Sequence, residues 1–160
     1  TLLHVASHGN FREDSPRFSN LRLDDGPFAL HELDRADRVP DAVVLAACDG
    51  GRHTSTGDGD LLGFAPSWLA AGSRAVMAPV CAVGDEATGQ VVDCFYERMI
   101  QLQEVEPPMQ AKASRGLNRG LATALASTQA DLADAATQVR AAAHSFVLVG
   151  CDLNFLYQTD

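Results

Sequence analysis

The sequence lacks several features that would place it in a specialised class of protein. No apolar run approaches the roughly 20 residues that a membrane-spanning helix needs, and no charged stretch followed by an apolar one indicates a secretory signal. The four cysteines form no C-x-x-C pair, which disfavours both a zinc site and a small disulfide scaffold. We therefore expect a cytoplasmic protein with no membrane partner. Because the chain begins at Thr1 inside an apolar run, we also expect it to be a segment of a longer protein.

Positive charge is also scarce. The chain carries 12 lysines and arginines against 21 aspartates and glutamates, a formal net charge of −9. An acidic chain binds nucleic acid poorly, so no nucleic acid is expected as a direct partner. At 160 residues, 46% of them hydrophobic, the chain is long enough to form one domain with its own core.

Apolar runs of strand length alternate with helical patterns along the chain. The runs cover residues 2–7, 42–47, 74–80 and 146–149. Amphipathic patterns predict helices over 30–38, 60–71 and 85–102, and two more within 109–143 that meet near Ser127. Residues 21–23 alternate as a short strand or hairpin does, and 49–59 have the composition of a mobile loop. This order predicts an α/β fold, with helices on both faces of a parallel sheet.

Two of the predicted strands end in a reactive side chain followed by glycine. The first leads into His8 and Gly9, and the second leads into Cys48. If the two strands are neighbours in a parallel sheet, both side chains lie at its carboxyl edge, where ligands bind in open α/β sheets. A histidine near a cysteine can accept its proton or stabilise its thiolate. The alternative is that Cys48 is a buried, unreactive core residue, as cysteines often are.

The same residues resemble a known family. An apolar strand ending in His-Gly, followed by one ending in Ala-Cys-acid-x-Gly, resembles the CHAT peptidase domain, a relative of caspases, separase, gingipains and legumain. Further segments are similar to later blocks of that family and occur in the same order: 59–65, 68–76, 85–88, 95–96 and 145–150. The chain departs from the pattern at 49–51, where Asp-Gly-Gly replaces Glu-Thr-Gly, and at 80–83, which lacks a tryptophan that commonly lines the substrate cleft.

The resemblance implies a caspase-like three-layer α/β sandwich with a mostly parallel sheet. It implies one peptidase domain over residues 1–160 that lacks the N-terminal strands of the family. In that family, Cys48 would be the nucleophile and His8 the general base and acid, and the backbone amides of Gly9 and Cys48 would form the oxyanion hole. It implies no cofactor. The partners it implies are a protein or peptide substrate and an upstream regulatory domain or activator.

Asp85 has two interpretations. It precedes a strong helical pattern and could be an N-cap. In separase-like relatives, an aspartate in the matching block binds a substrate arginine, which implies a substrate-binding role for Asp85 and cleavage after a basic residue. Selection of acidic residues would need a basic pocket, and few arginines lie near the motifs. A catalytically silent interaction or signalling module is the alternative function, and a small-molecule hydrolase is a third.

No metal site is predicted. His4 and His8 are four residues apart, which on a strand separates them by about 13 Å. His4 is therefore expected to be a packed or hydrogen-bonded core residue. The acidic pair at 58–60 lacks the spacing of a calcium loop. Cys81 and Cys94 are expected in the core.

Overall fold

The structure of the chain, a computed structural model, describes residues 1–12, 14–46, 53–55, 61–105 and 113–150. The strands are β1 (Leu2–Ala6), β2 (His8–Asn10), β3 (Asn20–Leu23), β4 (Gly26–Ala29), β5 (Ala42–Ala46), β6 (His53–Ser55), β7 (Leu61–Gly63), β8 (Ala75–Pro79) and β9 (Phe146–Gly150). The α-helices are α1 (Phe64–Ala70), α2 (Asp85–Val105), α3 (Ala113–Asp131) and α4 (Thr137–Ser145). Two 3₁₀ segments cover Pro16–Phe18 and Leu30–Arg35. Across these ranges, no helix has the length and apolar character needed to cross a membrane.

The central sheet has the strand order β1-β5-β8-β9. β1, β5 and β8 are parallel to one another, and β9 runs antiparallel to β8. The reversal follows from where α4 ends: the amide of Val80, just after β8, donates to the carbonyl oxygen of Ser145, the last residue of α4, at 2.9 Å. Phe146 therefore enters the sheet opposite Pro79, at the carboxyl edge of β8. The predicted α/β fold with a mostly parallel sheet is confirmed.

Helical layers cover both faces of this sheet, so the domain is a three-layer sandwich. On one face, Val43 and Leu45 pack with Phe64 and Trp68 of α1 and with the 3₁₀ segment 30–35. On the other face, alternate strand residues pack against α2, α3 and α4, with Phe95 fully buried among them. Burial on both faces explains why these strands are continuous apolar runs in the sequence.

Several predicted helix boundaries were wrong. Residues 61–63 form β7, which pairs with β6, so the helix predicted from 60 begins only at Phe64. The loop predicted over 49–59 therefore contains a strand at 53–55, and its other residues lie outside the described part of the chain. The segment predicted as a helix over 30–38 is a 3₁₀ segment that ends at Arg35.

The break between the last two helices lies at 132–136 and not near Ser127. Helix α3 runs through this region, and within it the buried hydroxyl of Thr128 donates to the carbonyl oxygen of Ala124 at 2.8 Å.

Candidate functional site

The two strands that lead to the predicted dyad are neighbours in the sheet. β1 and β5 pair in parallel from Leu2 opposite Ala42 to Ala6 opposite Ala46. His8 lies two residues beyond Ala6, and Cys48 lies two residues beyond Ala46 in the sequence. Neighbouring strands are about 4.8 Å apart, so β1 and β5 end side by side at the carboxyl edge of the sheet. Cys48 itself lies outside the described residues, and its pairing with His8 stays a prediction.

His8 sits where the chain leaves the central sheet for a small second one. A bend at Ser7 separates β1 from β2, and β2 pairs antiparallel with β3. His8 is exposed, and the residue directly opposite it is Arg22. Gly9, the expected oxyanion donor, is half-buried and lies opposite Leu21.

The small sheet, with the order β2-β3-β4, has a buried face and an open face. One row across it faces the core and consists of Gly9, Leu21 and Phe28, of which Leu21 is fully buried. The neighbouring row consists of His8, Arg22 and Pro27, and all three are exposed. Because side chains alternate between the two faces of a strand, the burial of Leu21 holds His8 and Arg22 together on the open face.

Sequence reasoning did not identify Arg22 as a neighbour of His8. The alternation of residues 21–23 indicated that Arg22 lies on a polar face. It could not indicate the partner strand, because β2 is only three residues long and has no strand pattern of its own. An arginine directly opposite a candidate catalytic histidine is a feature that only the register of the hairpin shows.

Asp85 is the first residue of α2 and is exposed. The carbonyl oxygen of Gly84 accepts a bond from the amide of Thr88 at 2.9 Å, so Gly84 occupies the N-cap position. The interpretation of Asp85 as the N-cap is therefore wrong. Its carboxylate lies in the first helical turn, where negative charge is favourable because backbone amides there are unpaired.

Asp85 also lines a groove of about 630 Å³ between the start of α2 and α4. Glu86 lies beside it, and Val139 and Ala142 contribute apolar surface from α4. Within the described part of the chain, both charged residues that line this groove are acidic. The groove therefore suits a ligand that combines a positive charge with an apolar stem.

Cys81 follows β8 at the carboxyl edge and also lines this groove. It is exposed, and Cys94 is half-buried, so the expectation that both are core residues was wrong. The turn after β8 carries Cys81 out of the sheet, and Cys94 lies on the flank of α2 that faces Asp131.

His4 is exposed, so the expectation that it is a core residue was wrong. It lies on β1, an edge strand, and its ring centroid is 5.4 Å from that of Tyr96 in α2. Partial burial lowers the pKa of His4 and raises the pKa of Tyr96, because desolvation disfavours the charged form of each. Among the described residues, no three histidine, cysteine or acidic side chains cluster as a metal site requires.

The fold and the paired strand ends together define an α/β protein of caspase-like architecture. A family model described as the CHAT domain matches residues 1–150. The chain therefore belongs to the CHAT domain family, which is related to the clan CD cysteine peptidases. No curated protein matched the chain in a sequence comparison.

Proposed function

We propose that this chain is a cysteine endopeptidase of CHAT type in which Cys48 is the nucleophile and His8 is the general base and acid. The observation that carries the proposal is the pairing of Ala6 with Ala46 on adjacent parallel strands. Each strand is followed at the same distance in sequence by one member of the dyad. His8 is exposed, as a residue that must reach a bound substrate needs to be.

The proposed reaction is acyl transfer. His8 accepts the proton of the Cys48 thiol, and the thiolate adds to the carbonyl carbon of the scissile bond. The amides of Gly9 and Cys48 stabilise the resulting oxyanion, and a donor of this kind is typically worth roughly 3 kcal/mol in the transition state. The C–N bond then breaks as His8 protonates the leaving amine. Water, deprotonated by His8, hydrolyses the thioester and regenerates the thiol.

The substrate residue before the cut is proposed to be basic. Asp85 and Glu86 at the groove support this preference, because a carboxylate binds a guanidinium through charge-assisted and often bidentate hydrogen bonds. A specific protein or peptide is the proposed substrate, and a cytoplasmic location is proposed with it.

The open edge of β1 supports a further part of the proposal. Among the described residues, no strand pairs with the outer edge of β1. Its five residues, Leu-Leu-His-Val-Ala, include none of the prolines or lysines that commonly protect an exposed edge. We expect additional N-terminal strands of a CHAT domain to pair there, and an upstream regulatory domain or activator to act through them.

Covalent labelling tests the dyad. The chain is treated with peptide acyloxymethyl ketones that carry Arg, Lys or Asp next to the reactive group, and mass spectrometry locates the adduct. We expect a thioether on Cys48 with the Arg and Lys probes, no adduct there in Cys48→Ala, and strongly reduced labelling in His8→Ala.

Two control variants separate catalysis from simple thiol reactivity. His144→Ala removes another exposed histidine and is expected to leave labelling unchanged. Cys94→Ser removes a free thiol that does not line the groove of Asp85 and is expected to do the same. Adducts that appear on Cys81 at the same rate as on Cys48 would contradict the dyad. Stronger labelling by the Asp probe would support a cysteine peptidase but contradict the proposal that Asp85 binds a basic substrate residue. A lack of labelling by all three probes, in the intact protein with its activator, would favour the alternative function, a non-catalytic interaction or signalling module.

A further inference from the structure

The open face of the β2–β3–β4 sheet brings together polar groups that the dyad does not use. Arg22 lies directly opposite His8, and Asn20 lies directly opposite Asn10, one step further along the same face. Directly opposite side chains on antiparallel strands have Cβ atoms about 4.5–5.5 Å apart, and diagonal neighbours are still within reach of long side chains. Arg22, Asn10 and Asn20 therefore lie on the same face as His8. The side-chain amide of Asn20 donates to the carbonyl oxygen of Phe18 at 3.3 Å.

Arg22 differs from three other arginines in forming no salt bridge with an acidic residue of the described part of the chain. Arg12, Arg17 and Arg98 each form a salt bridge with an aspartate. No acidic side chain of the described residues forms such a pair with Arg22, which is exposed. Arginine side chains in general are positively charged at physiological pH. The open face thus presents a cation beside the candidate catalytic histidine that no acidic side chain of the described ranges neutralises, in a chain whose net charge is −9.

The chemistry of this group selects a carboxylate. A guanidinium donates two parallel N–H bonds to the two oxygens of a carboxylate, and Arg is preferred over Lys for this planar recognition. The amide group of Asn10, on the diagonal from Arg22, offers a further donor. A basic side chain at the same place would be repelled.

We propose that Arg22 is a specificity-determining residue that binds an acidic side chain of the substrate close to the scissile bond. The inference rests on the proposed peptidase function and adds a second charge requirement to it. Asp85 then binds a basic side chain of the substrate, and Arg22 binds an acidic side chain at a different position. The substrate class is a polypeptide in which a basic and an acidic residue lie on the two sides of the cleaved bond.

Binding to a Cys48→Ala chain tests this without any need for catalysis. Two fluorescein-labelled octapeptides are compared by fluorescence anisotropy, identical except for Glu or Gln after a central Arg. We expect the Glu peptide to bind about two- to fivefold tighter, because Arg22 is exposed and an ion pair at an exposed site contributes at most about 1 kcal/mol. Arg22→Gln should remove this preference, and Arg140→Gln, which neutralises an exposed arginine on α4, should keep it. The preference should also weaken as salt is added.

A second measurement covers affinities too weak for anisotropy. The Nε–Hε NMR resonance of Arg22, identified by its loss in Arg22→Gln, is followed during titration with N-acetyl-glutamate methylamide and with its glutamine analogue. We expect a saturable shift with the glutamate probe alone, larger than any shift at Arg140. Equal behaviour of the two probes at Arg22, or a Glu preference that survives Arg22→Gln, would overturn the assignment. Neither assay uses the thiol. A lack of labelling at Cys48 would therefore contradict the peptidase function without contradicting carboxylate binding by Arg22.

Discussion

Gly150 is the position where one added methyl group tests the architecture most directly. It is the last residue of β9 and pairs with Ala75 of β8. Its φ is +147°, in the region that side chains other than glycine rarely adopt. A Cβ atom built there would overlap the carbonyl oxygen of Arg74 and lie 2.8 Å from the Cα of Ala75.

The neighbouring backbone cannot easily move away. The amides of Arg74 and Ala75 donate to the carbonyl oxygen of Asp41 at 2.7 and 3.2 Å, which ties this end of β8 to the start of β5. We therefore expect Gly150→Ala to cost about 1–3 kcal/mol in backbone strain and about 0.5–1.5 kcal/mol for a lost ladder bond. The expected loss is about 2–4 kcal/mol, a large part of the 5–15 kcal/mol typical of a whole domain.

Urea unfolding followed by circular dichroism measures this loss. With a slope of about 2 kcal/mol per molar urea, the midpoint of Gly150→Ala should fall by about 1–2 M. Gly120→Ala is the matched control, because a Cβ at that position in α3 meets nothing within 4 Å. It should stabilise the protein by about 0.5–1 kcal/mol through helix propensity. If Gly150→Ala unfolded at the wild-type midpoint, the antiparallel register of β9 against β8 would be refuted.

Two further predictions concern the face of the sheet that α2 covers. Phe95 is fully buried, so Phe95→Ala should lower the free energy of unfolding by about 3–5 kcal/mol. Ile100 on the same helix is 57% exposed, so Ile100→Ala should change it by about 0.5 kcal/mol at most. Equal urea midpoints for the two variants would contradict the packing of Phe95 in the core. Desolvation lowers the pKa of His4 in the folded protein below its ordinary 6.5. Between pH 6.5 and that lowered pKa, the unfolded chain binds more protons than the folded one. The free energy of unfolding should therefore fall as the pH drops through this range. The urea midpoints of His4→Gln and the wild type are measured between about pH 5 and pH 8. As the pH is lowered, the midpoint of His4→Gln should fall less than that of the wild type. An equal pH dependence of the two midpoints would contradict the desolvation of His4.

Much of the central sheet was predictable from local pattern. Continuous apolar runs at 42–47 and 74–80 predicted strands buried on both faces, and the strands lie at Ala42–Ala46 and Ala75–Pro79. The stripe that starts at Asp85 predicted α2 with its correct first residue. These predictions succeed because the period of apolar residues reflects which faces of one element are buried, and that information is local.

Other features depended on contacts between segments distant in sequence. Nothing in 61–63 indicated a strand, because its pairing with 53–55 decides its conformation. Nothing in the apolar pattern of 146–149 indicated direction, and the strand is antiparallel because α4 ends at the carboxyl edge of β8. The exposure of Cys81 follows from the turn after β8, which a cysteine between apolar residues does not indicate.

For the candidate site, the sequence by itself determined which side chains follow the two strand ends. His8 and Cys48 each stand after an apolar run, and any parallel arrangement of those runs directs both to one edge. Only the tertiary structure decided that β1 and β5 are direct neighbours and that Arg22 lies opposite His8. The physical reason is that residue pattern sets the burial of each face, whereas register and partner are set by packing between segments, here by the buried Leu21 beneath the open face.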